Sequence, residues 1–174
     1  MDDCEAAGPE WLSAEERQAW LAVAALIVKL PAALDAQLQA DAGLSFFEYM
    51  VLAVLSEQPD RTMRMSDIAD AASASLSRLS HTAGRLEKQG YLVRERLPGP
   101  GRRTNAVLTD AGHAKVVASA PEHVAYVREL LIDEVPPADL ATLSRVGRVV
   151  LDRIDGGNAC PRWAPRLTRG DGSA

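Results

Sequence analysis

Apolar residues recur every three or four positions along most of the chain, and polar caps divide the repeats into separate helices. Trp20, Ala24, Ile27, Leu30, Leu34 and Leu38 form one stripe, opened by Ser13-Ala-Glu-Glu16. In that spacing a serine hydroxyl and a carboxylate three residues later satisfy the free backbone N–H groups of a helix start. A first helix is therefore predicted from residue 13 to about residue 39, kinked at Pro31 and broken at Gly43. Ser45-Phe-Phe-Glu48 repeats the device ahead of Tyr49, Met50, Leu52, Ala53 and Leu55, with Pro59 ending the second helix.

The next elements are shorter. Residues 62–65 suit a brief strand, after which Ser66 is expected to cap a short helix over residues 67–72. Ser75 caps the following run, in which Leu76, Leu79, Ala83 and Leu86 share one face and Gly90 supplies a left-handed stop. The other face carries Ser77, Arg78, His81, Gly84, Arg85 and Lys88, short, polar and basic. Residues 91–96 and 104–108 are extended runs flanking LPGPGRR, which predicts a hairpin with a long tip. Thr109 caps a helix over 110–134, and Pro136-Pro137 separates it from a last one bearing Leu140, Leu143, Val146, Val150, Leu151 and Ile154.

Composition agrees with a mostly helical chain: aromatics are only 5% against 47% hydrophobic, so small and aliphatic residues supply the apolar surface. The stretch LAVAALIVKLPAAL is interrupted by Lys29 and Pro31, so no membrane span is expected. An acidic start, MDDCEAAGPE, is the opposite of a signal peptide and points to a cytoplasmic protein. Cys4 and Cys160 lack metal or dithiol spacing and are expected to be free thiols. His81, His113 and His123 share no ligand spacing with cysteines or carboxylates, and no nucleophile motif occurs; no metal, cofactor or catalytic residue is expected.

Charge is unevenly spread. Residues 1–62 hold 11 acids and 3 bases, residues 63–103 hold 8 bases and 4 acids, and residues 104–174 hold 8 bases and 9 acids, which closes at the formal -5. A basic middle between acidic flanks suggests that one module meets a polyanion. That module reads helix, tight turn, helix, hairpin, the winged form of a helix-turn-helix. Its second helix would enter a DNA major groove, wide enough for one α-helix, with side chains near its N-terminus meeting base edges. Ser77, Arg78, His81 and Arg85 fill that position, Ser75 and Ser77 are placed to hold phosphate, and Arg94, Arg96, Arg102 and Arg103 lie in the hairpin.

LSFFEYMVLAVLSEQP, then MRMSDIADAASASLSRLSHTAGRLEKQGYLVRE, then GRRTNAVLTDAG, resemble the multiple antibiotic resistance regulator (MarR) family of transcription factors. The most specific parts are Arg85-Leu-Glu with Gly90-Tyr-Leu92, and the wing exit Leu108-Thr-Asp-Ala-Gly112. The resemblance implies a homodimer held by its first and last two helices, straddling a pseudo-palindromic operator on double-stranded DNA, usually as a repressor. It also implies a small aromatic or phenolic effector bound between the dimerisation and DNA-binding parts. Trp20, Phe47, Tyr49 and Met50, with Phe46, are apolar candidates for that pocket, and His113 and Arg17 are polar ones. Aligned with the family wing, Arg102 matches the minor-groove arginine, whereas Pro100 stands where an aspartate would orient it, and Arg103 can share the contact.

The expected fold is mostly α with a small β-hairpin wing: a winged helix-turn-helix flanked by N- and C-terminal dimerisation helices. Its parts are a flexible acidic N-terminus (1–12), an N-terminal dimerisation helix (13–44), the DNA-binding domain (45–108), C-terminal dimerisation helices (109–155) and a mobile tail (156–174). The alternative is a winged-helix protein-interaction or dimerisation module that binds no DNA.

Overall fold

Both Ser-x-x-Glu boxes form. In a computed structural model that describes residues 10–98 and 103–155, the Ser13 N–H donates to Glu16 Oε2 at 2.8 Å and the Glu16 N–H to Ser13 Oγ at 3.2 Å. Helix α1 follows over Ala14–Ala42, with Pro31 inside it, and stops at Gly43, whose φ of 63° suits the residue without a Cβ. Ser45 and Glu48 exchange the same two bonds at 2.8 and 3.2 Å and start α2, Phe46–Ser56. The order continues with β1 (Thr62–Arg64), α3 (Met65–Ala71), α4 (Leu76–Lys88), β2 (Leu92–Arg96) and β3 (Thr104–Leu108). Then come α5 (Asp110–Val127), prolonged by a π-helical turn over Arg128–Ile132, and α6 (Pro137–Ile154).

The chain divides into two compact units, residues 1–33 and 34–174, and α1 crosses the boundary. In the second unit α2 packs on α5 and β3, and α3 on α4. Leu38, Leu52, Leu55, Ile68, Leu79, Leu86 and Leu92 are buried to 1% exposure or less and define its core. These are the inward positions of α2, α3, α4 and β2, together with the last stripe residue of α1. Burying a leucine side chain is worth about 1.5–3 kcal/mol, so this set dominates the packing energy.

The sheet is larger than the hairpin expected from sequence. β1 joins it, giving an antiparallel order β1-β3-β2 with Thr62 opposite Val107 and Leu92 opposite Leu108. The strand itself was expected, but its pairing depends on residues 41 to 45 positions away. Two local expectations also fail. Ser66 does not cap α3: the helix begins at Met65, which is buried, and the Ser66 hydroxyl turns to Asp67 Oδ1 at 3.2 Å. Leu76 is 55% exposed because it opens α4 beyond the reach of the core, and Thr82 is buried alongside Leu79, Ala83 and Leu86 instead.

One joint ties α4, the wing and α5 together. Gly90, with φ 78°, turns the chain out of α4, and its carbonyl accepts the Thr109 hydroxyl at 2.6 Å. Thr109 Oγ1 in turn accepts the Gly112 N–H at 3.0 Å as the cap of α5, while the Thr109 N–H donates to Tyr91 O at 3.1 Å. The Leu-Thr-x-Ala-Gly exit is therefore a packing device: Thr109 caps and crosslinks, and Gly112 lets the Tyr91 carbonyl come close.

Much apolar surface is left uncovered. In the first unit Trp20, Leu21, Leu26, Ile27 and Val28 are each more than half exposed. In the second, no residue of α6 is buried, and Val146 and Val150 are 45% and 52% exposed. α1 also holds an 18-residue window of mean hydropathy 1.7, enough by length and composition to cross a membrane. Lys29 and Pro31, which the sequence pattern reads as breaks, both lie inside this 29-residue helix. A helix awaiting a protein partner has the same property.

Candidate nucleic-acid interface

The exposed side of α4 begins at its cap. Ser75 Oγ accepts the Arg78 N–H at 3.2 Å, which fixes the first turn and leaves the hydroxyl proton available to an acceptor. Ser77, Arg78 and His81 follow, all solvent-exposed. The Arg78 guanidinium carbon lies 4.4 Å from the centroid of the Phe47 ring, and among the described residues no side chain bonds its N–H groups.

Arg85 differs. Its Nε donates to Glu48 Oε1 at 2.9 Å, and that carboxylate side chain is only 8% exposed. Burial would raise the Glu48 pKa, but the Ser45 backbone N–H, the Arg85 guanidinium and the Ser45 hydroxyl together hold it below the ordinary carboxylate value. Glu48 thus serves two helices, as N3 carboxylate of α2 and as anchor for α4. The Arg85 Nη1 also stands 3.3 Å from His81 Nδ1. Because a guanidinium only donates, that contact assigns the acceptor role to Nδ1 and the proton of a neutral ring to Nε2, which faces away from the contact.

In the wing, Arg94 is engaged as well. Glu87 receives its Nε at 3.0 Å, its Nη2 at 2.6 Å and its backbone N–H at 3.0 Å, and this pairing holds the Glu87 carboxyl below its usual range. Arg96 is exposed on β2, and Arg103 is exposed where β3 begins, its carbonyl accepting the Leu97 N–H at 3.0 Å. Arg102 and Pro100 lie outside the described residues, as do Cys4 and Cys160. Ser77, Arg78, His81, Arg96 and Arg103 are therefore outward-facing, whereas Arg85 and Arg94 are held by carboxylates that sequence patterning did not pair with them. Helical spacing would have found Glu48 only as a cap.

Gly84 shares this face. A Cβ built there would meet Arg94 Nη2 at 3.9 Å, an ordinary contact, so no protein backbone needs the missing side chain. Gly84→Ala is expected to raise stability by about 1 kcal/mol through helix propensity, measured as a higher midpoint of urea unfolding.

A cleft of about 570 Å³ lies beside the helix, lined by Asp35, Phe47, Ser77, Arg78, His81 and Arg85 among others. Of the expected effector residues it contains Phe47. Tyr49 is a core residue whose ring centroid lies 4.7 Å from that of His123, Phe46 is half-buried against the core, and Met50 is half-buried. Trp20 and Arg17 belong to the first unit and are exposed there. His123 is packed, with Nδ1 2.9 Å from Gln37 Oε1, and burial pushes its pKa down. Among the described residues no group of three or more His, Cys, Asp or Glu side chains is placed to hold a metal.

The sequence model of the MarR family matches residues 42–103. No curated protein matches the sequence. Among solved structures, the MarR family transcriptional regulator Sco3205 from Streptomyces coelicolor, in complex with DNA, is 38% identical with a TM-score of 0.81, over 87% of this chain and 96% of that one. AbsC, a MarR family transcriptional regulator from the same organism, is 36% identical with a TM-score of 0.78, over 85% and 99%. Sco5413, also from Streptomyces coelicolor, has a TM-score of 0.68 at 21% identity over 83% and 97%, a likeness of fold. Identity above one third, sustained across nearly the full length of Sco3205 and AbsC and centred on the winged helix-turn-helix just described, places this chain in the MarR family of transcriptional regulators.

Proposed function

We propose that the protein is a homodimeric, sequence-specific DNA-binding regulator, most simply a repressor, that lays α4 into the major groove at each half of a pseudo-palindromic operator. The observation that carries this is Arg78: an arginine one turn into the helix, stacked on a neighbouring ring, with its N–H edge unclaimed. Such an edge matches O6 and N7 of guanine bidentately. Ser75, Ser77 and His81 add donors for phosphates or bases, and Arg96 and Arg103 carry the wing toward the backbone. Arg102 is the further wing candidate by its place in the sequence. Sco3205, crystallised with DNA, supports the same use of the module here. Binding to duplex DNA at low salt should fall linearly on a log–log plot as salt rises, with a slope of roughly -0.9 per phosphate contacted. Absence of retention at low salt would favour the alternative, an interaction module without DNA.

The dimer would be built from the uncovered apolar surfaces, with residues 13–44 and 109–155 as dimerisation segments around a DNA-binding domain of 45–108. Val146→Glu with Val150→Glu is expected to convert a species of twice the chain mass into a monomer in sedimentation equilibrium, and to weaken operator binding as the two half-sites lose their linkage. An unchanged dimer would remove α6 from the interface. Release by a small aromatic anion belongs to the same proposal: entering the cleft beside Phe47, it would compete for the Arg78 guanidinium that DNA requires. A regulator of this kind works beside the chromosome in the cytoplasm.

A further inference from the structure

The first turn of α2 reaches both arginines of the recognition helix. Phe47 lies under Arg78 at 4.4 Å, and Glu48, the next residue, holds Arg85 at 2.9 Å. That turn is itself fixed: its capping box is closed by Ser45 and Glu48, and the Phe46 N–H donates to Asp35 Oδ1 at 2.7 Å. Phe47 is thus a half-buried ring on a clamped backbone, not a loose surface side chain.

The two contacts have different chemical consequences. A carboxylate consumes the donors of the arginine it binds, so Arg85 spends its Nε on Glu48. An aromatic face meets the flat of the guanidinium and leaves the N–H groups at its rim free. An unsupported arginine would also lose rotamer freedom on being ordered by a base, part of which stacking removes beforehand. Resting on the DNA-binding function proposed above, we infer that Phe47 is a positioning residue for sequence readout: it touches no base, and it sets the direction in which Arg78 presents its hydrogen-bonding edge. Specificity at the base pair read by Arg78 then depends on a residue of α2.

The test is selection of bound duplexes from a random pool by the full-length chain and three variants, Arg78→Ala, Phe47→Leu and Phe47→Tyr, each checked for an unaltered unfolding midpoint. Arg78→Ala identifies the base pair in each half-site whose preference is lost. Phe47→Leu, which keeps apolar bulk but removes the ring, is expected to weaken preference at that same base pair roughly two- to five-fold, the value of an exposed cation–π contact. The salt slope should stay unchanged, because no phosphate contact is removed. Phe47→Tyr is expected to retain the wild-type preference. A simple loss of packing would lower binding to all duplexes alike and would not pick out one base pair. The inference is overturned if Phe47→Leu keeps full preference at the Arg78 base pair, or if the tyrosine variant loses it as the leucine variant does. Failure of the wild-type chain to enrich any sequence overturns the DNA-binding function itself and the inference with it.

Discussion

Replacing Gly112 with alanine is expected to be strongly destabilising, because the site has no room for a Cβ. A Cβ at that position would lie 2.0 Å from the Tyr91 carbonyl oxygen, 2.8 Å from its carbon and 2.7 Å from Leu108 Cδ1. The carbonyl cannot yield cheaply: it accepts the Thr109 N–H at 3.1 Å, and the Tyr91 N–H is held by Leu86 O at 2.9 Å. Relief requires the start of α5 to move away from the exit of α4, which would break the Thr109 crosslink as well. Overpacking of this kind costs about 3 kcal/mol, or roughly 6–12 °C in the melting temperature of a chain this size. Circular dichroism melting checks it, and a midpoint within a degree of wild type would show that the joint is looser than described.

Arg78→Ala carries the largest expected effect on binding. The loss of one bidentate base contact should reduce affinity for the cognate site by about 1–3 kcal/mol, and affinity for unrelated duplexes hardly at all. Arg103→Ala should behave oppositely, weakening all duplexes and lowering the salt slope by about 1. Titration of a cognate and a scrambled duplex at several salt concentrations separates the two. If Arg78→Ala lost affinity evenly for both duplexes, its role would be phosphate attraction and base reading would have to lie elsewhere on α4.

The elements that sequence made legible are those whose signals are local. Ser13 with Glu16, Ser45 with Glu48, Ser75 and Thr109 each mark a helix start that the structure contains, because a cap needs only the next three residues. The basic face of α4 was equally legible from helical spacing. What escaped is non-local. β1 was expected as a strand, but its pairing with β3 was not, and the ion pair of Glu48 with Arg85 spans 37 positions. Glu48 reads as a cap from its neighbours, and its second role exists only once α2 and α4 are packed. Phe47 was placed in an effector pocket on its aromatic character, and that character gave no sign that its ring lies 4.4 Å from the Arg78 guanidinium. Leu76 failed for the reverse reason: it has the right spacing for the core, and α4 begins too far out to bury it.

In the function proposed here, two copies of α4 read the two halves of one DNA site. This is tested most directly by selecting duplexes bound by the wild-type protein from a random pool. An inverted repeat with half-site centres about 10 base pairs apart, one helical turn, and a strongly preferred guanine in each half is the expected result. Enrichment of no sequence, or of a single asymmetric half-site, would mean that two copies of α4 do not read one site together.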